Sequence, residues 1–236
     1  MKEKIIIAWS RINGAPLKSD KEREEWIKYR MKIFMTYTAN SFMRQTNQDF
    51  VYFVNYDQEA KEYVLNELKK YPKLPDNIIF TDNYMEEIKK LIVDYEYLYF
   101  VRIDSDDMYQ KDYIQKLHDY NPKEETQVLI SQNGYIFNIY DGRLGKWSYQ
   151  SPPFFTFIYK TSDFLKGFRY FLKEGHKSAI SLNHEILDGN NFMVIVHDKN
   201  TVTIFDSSFC KGEIVDKEEK DAIIKDFALK KLTKDE

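Results

Sequence analysis

A single cysteine, Cys210, stands among 236 residues, which excludes an internal disulfide framework and any multi-cysteine zinc module. A lone thiol fits a reducing compartment. No apolar run approaches the roughly 20 residues of a membrane span; the longest, over 5–9 and 154–159, are short. A secretory signal needs about 7–15 apolar residues and a small-residue cleavage site, and the stretch at 5–9 has neither. The expected location is therefore the cytoplasm, with no integral membrane segment. One-sided charge is missing too. The 35 basic and 38 acidic residues leave a net charge of −3, which gives no electrostatic case for nucleic acid as a partner. Several signatures are absent as well. No Gly-x-Gly-x-x-Gly supports dinucleotide binding, and no Gly-x-Ser-x-Gly supports a serine hydrolase. His184-Glu185-Ile186-Leu187-Asp188 lacks the second histidine of a zinc-protease helix, and Gly142-Arg143-Leu144-Gly145-Lys146-Trp147 lacks the spacing and hydroxyl of a P-loop.

What is present is ample material for a folded core, with 43% hydrophobic and 31% charged residues. Aromatics reach 16%, as core and strand filler or as stacking surfaces for sugars and bases. The apolar run at 5–9 predicts a buried strand, and Ser19-Asp20-Lys21-Glu22 has capping-box spacing for a helix that ends near Gln45–Asn47. Trp26, Ile33, Phe34, Tyr37 and Ser41 are expected on one face of it. Strands are predicted over 50–54, 78–80 and 97–103, with helices over 59–70, 86–93 and 111–120 between and after them. Four strand–helix alternations predict βαβ units, a mostly parallel sheet and helices on both faces. The later half changes character. Strands are expected at 128–130, 135–140 and 193–196, and a hairpin return at 146–149. A rigid Ser151-Pro152-Pro153 loop, a helix over 162–172 and an amphipathic charged helix over 217–236 complete the reading.

Ligands of such sheets bind beyond the carboxyl ends of the strands. Those ends carry Arg11 and Asn13, Asp57, Asp82 and the run Arg102-Ile103-Asp104-Ser105-Asp106-Asp107. Three carboxylates within four residues repel one another and need compensation. A hard divalent cation provides it, and Mg²⁺ is often held by one or two carboxylates plus substrate phosphates. Strand alternation points Asp104 and Asp106 the same way, with Ser105 opposed. A capped loop is the plainer alternative, with Asp107 as helix cap.

The cluster resembles the Asp-x-Asp motif of nucleotide-sugar glycosyltransferases of the A-type fold. The longer layout is similar to the rhamnosyltransferase-like family. It rests on Arg11-Ile12-Asn13, Trp26…Arg30…Phe34, residues 41–46 and 50–54, Arg102–Asp107, Ser151-Pro152-Pro153-Phe154-Phe155 and His197-Asp198-Lys199-Asn200. The resemblance leaves the tail beyond about Phe209 unmatched. It implies an α/β, Rossmann-like A-type fold with a smaller mixed C-terminal part. One domain would fill 1–236: a nucleotide-sugar and metal half at 1–120, an acceptor half at 121–210 and a C-terminal helix at 211–236.

The same resemblance implies Mn²⁺ or Mg²⁺ held by Asp106, with Asp104 on the metal or the ribose and His197 as a late ligand. His197 as a strand-end histidine bonded to backbone is an equal alternative. Arg11, Asn13, Asp57, Arg102 and Asp104 would contact a UDP- or dTDP-linked sugar. Trp147, Pro153 and Phe154 would form an acceptor wall, or simply pack a hairpin and loop. Metal and cations would offset charge building on the leaving diphosphate. An inverting enzyme needs a base for the acceptor hydroxyl, for which Glu185 and Asp188 are the candidates; a retaining enzyme does without. The expected reaction is hexosyl transfer to a hydroxyl. A metal-dependent nucleotidyltransferase or phosphotransferase and a non-catalytic glycan- or partner-binding domain are the rivals.

Overall fold

The computed structural model describes residues 2–12, 19–200, 202–206 and 208–229. The first half alternates as expected: β1 (Lys2–Arg11), α1 (Asp20–Thr36), α2 (Thr38–Met43), β2 (Val51–Asn55), α3 (Lys61–Leu68), β3 (Ile78–Thr81), α4 (Tyr84–Leu91) and β4 (Tyr95–Arg102). After it come β5 (Met108–Tyr109), α5 (Tyr113–Asp119), β6 (Val128–Ile130), β7 (Asn133–Asn138), β8 (Leu144–Ser148), β9 (Phe155–Lys160) and α6 (Thr161–Leu165). The chain ends with β10 (His184–Ile186), β11 (Asn190–Val196), β12 (Gly212–Glu213) and α7 (Lys217–Asp226).

Seven strands form the first sheet in the order β10-β6-β9-β4-β1-β2-β3. Only β9 runs against the rest, pairing antiparallel with both β4 and β6. Strand β1 is parallel to both neighbours, with Ile7 opposite Val51 on one side and Phe100 on the other. Helices cover both faces. Ile6 and Ala8 of β1 face Ile27, Met31 and Phe34 of α1, Val64 of α3 and Leu117 of α5. Ile7 faces the other way, toward Ile88 of α4 and Phe164 of α6. This is the expected Rossmann-like α/β class, and it brings the carboxyl ends of β1, β2 and β4 to one crevice.

The smaller part is a five-stranded mixed sheet, ordered β12-β8-β7-β11-β5. The expected hairpin is there as β7 and β8, antiparallel from Asn133 opposite Ser148 to Phe137 opposite Leu144. Gly134 lies directly under Phe192 of β11, where a Cβ would collide with the Phe192 carbonyl and ring. Phe192 in turn stacks on Phe154 at 3.8 Å, tying this sheet to the loop before β9.

Four expectations need correction. The helix that starts at the Ser19–Glu22 capping box breaks at Tyr37. Its apolar residues divide between two cores: Phe34 faces the large sheet, while Ile33 and Tyr37 pack with Met193, Ile195 and Phe227 of the smaller part. The segment after β9 is helical only to Leu165, because Gly167 turns left-handed at φ +94. Residues 155–160 and 184–186, to which the sequence reading gives no element, are strands of the large sheet. The last helix ends at Asp226, and its expected continuation over 230–236 lies outside the described residues.

Candidate active site

A cavity of about 1060 Å³ opens at the carboxyl ends of β1 and β4. The large sheet contributes Trp9, Arg11 and Arg102, α1 contributes Trp26 and Arg30, and the smaller sheet contributes Trp147 and Val194. The turn after β4 carries Asp104 to Asp107 into it. Position follows from topology: β1 and β4 are adjacent and parallel, and the smaller sheet closes over their ends.

Asp106 is the centre of the charge network. Its side chain is 14% exposed and its Oδ2 accepts from Arg30 at 2.8 Å and from His197 Nε2 at 3.1 Å. Arg30 also donates to Ser105 Oγ at 2.5 Å, and Ser105 donates to the Arg11 carbonyl at 2.8 Å. Burial alone would raise the Asp106 carboxyl. Hydrogen bonds and charge from His197 and Arg30 outweigh it and hold the group well below the ordinary carboxylate range. Asp107 goes the other way. It is fully desolvated and faces the charges of Asp106 and Asp104, so its pKa lies well above the ordinary value. Its Oδ1 accepts the Ile195 N–H at 3.1 Å, which fastens the turn to β11. It is not a helix cap, because α5 begins only at Tyr113.

His197 directly follows β11 and its side chain is fully buried. The Lys199 amide donates to Nδ1 at 3.2 Å, and Nε2 on the other side of the ring donates to Asp106. Tyr29 Oη also lies 2.9 Å from Nδ1 and donates to Asp198 at 2.6 Å. Asp198 takes a second hydrogen bond from Tyr140. The two tyrosine hydroxyls hold the Asp198 carboxyl below its ordinary value. His197 thus meets Asp106 on one side and a tyrosine–carboxylate pair on the other.

Around this centre, Arg102 donates to Asp104 at 2.9 Å and to the Pro153 carbonyl at 2.7 Å. Arg11 and Asp57 form an ion pair of 2.5 Å at the β1–β2 end. Trp9 and Tyr84 stack at 5.5 Å beside them. Two buried polar atoms of the lining, Trp26 Nε1 and Asn55 Oδ1, have no hydrogen-bond partner among the described residues.

The residues singled out from sequence thus fall into four groups. Arg11, Arg102, Asp104, Asp106, Trp147 and Pro153 line the cavity, and His197 and Asp57 stand directly behind lining residues. Asn13 lies outside the described residues. Phe154 is wholly buried between Phe192, Trp147 and Tyr109, so it supports the wall without presenting a face to an acceptor. Glu185 and Asp188 do not line the cavity. Glu185 accepts from Tyr120 Oη, Thr126 Oγ1 and the Lys123 amide, and pins the edge strand β10. The hydrogen bonds that fix it also keep its carboxyl below the ordinary value against the effect of burial.

Sequence reasoning gave no role to Arg30, Tyr29 or His176. Arg30 was part of the family layout, but a helix arginine reads as solvent-facing until its neighbours are known. His176 lines the cavity next to Arg102 and Asp104. Burial, then the Arg102 charge, holds its pKa below the ordinary histidine value.

Part of the donor set a divalent metal needs is present. Asp106 and His197 converge as one carboxylate and one imidazole, while Asp104 turns to Arg102, and no cage of three ligating side chains forms among the described residues. One or two carboxylates plus substrate phosphates is the habit of Mg²⁺ and Mn²⁺, which Asp106 meets, while an imidazole such as His197 is a ligand more typical of softer divalent ions. The fit is thus to a metal shared with a diphosphate. Ligation through Nε2 requires the ring hydrogen on Nδ1, where Tyr29 Oη can accept it and Asp198 backs it, the outer-sphere pattern of metal-bound histidines.

No protein-family model matches the chain, and no curated protein matches it. Among solved structures it is similar to S. aureus TarS 1–349 in complex with UDP-GlcNAc, at 14% identity and a TM-score of 0.43, over 97% of this chain and 72% of that one. A longer S. aureus TarS structure is matched at 17% identity and a TM-score of 0.41, over 83% of this chain but 37% of that one. The chain therefore spans little more than a third of that relative's length. The 4-diphosphocytidyl-2C-methyl-D-erythritol synthase of Anaerococcus prevotii is matched at 11% identity and a TM-score of 0.44, over 93% of this chain and 94% of that one. Likenesses this distant assign no reaction.

Proposed function

We propose that the chain is a metal-dependent glycosyltransferase that moves a hexosyl group from a nucleoside-diphosphate sugar to a hydroxyl acceptor. The observation that carries this reading is the convergence of Asp106, His197 and Arg30 at the cavity floor, where two adjacent parallel strands end. Arg30 and Arg102 face the anionic diphosphate. The Trp9–Tyr84 stack, Asn55 and the Arg11–Asp57 pair offer the flat and polar surfaces a nucleoside needs, for a UDP- or dTDP-linked donor. Mn²⁺ or Mg²⁺ on Asp106 and His197, with Asp104 in reach through water, would supply charge stabilisation to the leaving diphosphate.

In the transfer the acceptor oxygen bonds to the anomeric carbon, the bond from that carbon to the phosphate oxygen breaks, and the nucleoside diphosphate departs. Arg30 offsets the charge that builds on it. For an inverting course the acceptor proton needs a base. His176 suits this better than Glu185 or Asp188, because it lines the cavity and is neutral at pH 7. Trp147 and Pro153 form the acceptor side of the wall.

The test is the nucleotide product. Incubation with a panel of UDP- and dTDP-sugars and Mn²⁺, followed by anion-exchange chromatography, should show a nucleoside diphosphate, formed by transfer to water when no acceptor is supplied. Nucleoside monophosphate or pyrophosphate chemistry would point to the nucleotidyltransferase rival. No turnover and no binding would favour a non-catalytic domain.

A further inference from the structure

The segment between β9 and β10 carries features that the proposed reaction does not use. It starts at α6, on the edge of the sheet away from Asp104, where Thr161 bonds the Tyr95 carbonyl at 2.5 Å. It then climbs the sheet flank, with Tyr170 stacked on Tyr159 at 4.6 Å, and reaches the cavity rim at His176 and Lys177. Along this path Leu165, Phe168 and Phe171 are 40%, 49% and 82% exposed. The backbone behind them is held firmly: the Phe168 amide bonds the Asp163 carbonyl at 3.0 Å, and Arg169 bonds the Phe164 and Phe168 carbonyls at 2.8 and 2.5 Å. These side chains are therefore displayed on a braced loop. Residues 160–177 hold five lysines and arginines against two acids, in a chain whose net charge is −3. Lys160, Lys166 and Lys173 are exposed and form no ion pair among the described residues.

We propose that this flank is a contact surface for an anionic lipid bilayer, with Phe171 and Phe168 entering the interface and the lysines facing lipid headgroups. Exposed Phe and Leu beside Lys are the apolar and basic components of interfacial segments, and basic segments are drawn to anionic leaflets. A second copy fits poorly, because a two-fold interface would set the lysines of one copy against those of the other. Phe171 protrudes, while Phe168 keeps one edge against Tyr170 at 5.2 Å, and a protruding ring suits a deformable bilayer better than the preformed pocket a folded partner would need. The cavity rim at Lys177 would then lie beside the membrane surface.

Cosedimentation of the full chain with vesicles tests this without any nucleotide, so its outcome is separate from that of the proposed reaction. Vesicles of phosphatidylcholine with about 30% phosphatidylglycerol should bind the protein, and pure phosphatidylcholine vesicles should bind it at least about tenfold more weakly. Phe171→Ser, and separately Lys166→Glu with Lys173→Glu, should each lower the bound fraction about tenfold with an unchanged melting temperature. Equal sedimentation with both vesicle types, no binding to anionic vesicles, or full binding by the Phe171 variant would overturn it. So would a wild-type dimer in light scattering that Phe171→Ser dissolves.

Discussion

Asp106 and Asp107 are neighbours in the chain, yet their surroundings drive their titration in opposite directions. Asp106 is depressed by His197 and Arg30 despite its burial, so its contribution to stability is full above the unfolded value of about 4 and is lost as pH falls through the folded value. Asp107 is raised by burial and by Asp106 and Asp104, so it weakens the fold progressively as pH rises above about 4 toward its folded value. Asp107→Asn keeps the acceptor for the Ile195 amide and cannot ionise. Its melting temperature should therefore exceed the wild type's at pH 8, with a gap that shrinks toward pH 4; calorimetry across that range checks it, and a gap independent of pH would refute the assignment. Arg30→Met should cost about 3 kcal/mol in urea denaturation, the lower end for breaking a buried pair, since His197 still bonds Asp106. Adding Asp106→Asn should recover most of that loss. The acidic cluster was readable in sequence because a strand delivers it to a sheet end. Its cationic partners were not, since Arg30 lies 76 positions and His197 91 positions from Asp106 and only the packing of α1 and β11 brings them there.

At the scale of elements, patterns that repeat locally were the readable ones. The Ser19–Glu22 capping box and the alternation through β4 can be recognised within short windows, and both are present. Strands β9 and β10 were missed for a physical reason. The first is a short, mostly apolar run flanked by the Pro152-Pro153 loop, and the second has three residues whose pairing with β6 depends on a remote segment. The break at Tyr37 was hidden because two cores draw on α1 from different sides. Packing between sheet elements gives a direct test at Gly134. Alanine there must push against the Phe192 backbone, and should destabilise by about 1–3 kcal/mol, the usual cost of overpacking. Urea unfolding measures it, and a neutral substitution would mean that β7 and β11 are less closely apposed than described.

The whole molecule is two sheets closed over one crevice. Arginines from α1 and from the β1 and β4 ends, with the Asp106–His197 pair, set its chemistry. On the proposed reading a nucleoside diphosphate seats there with a divalent metal on Asp106. Titration calorimetry of UDP and dTDP in Mn²⁺ with the wild type and Asp106→Ala tests it most directly. One nucleotide should bind the wild type and lose at least about tenfold in affinity, or 1.4 kcal/mol, in the variant. Equal affinity in the two proteins, or no binding of either nucleotide to the wild type with or without Mn²⁺, would contradict it.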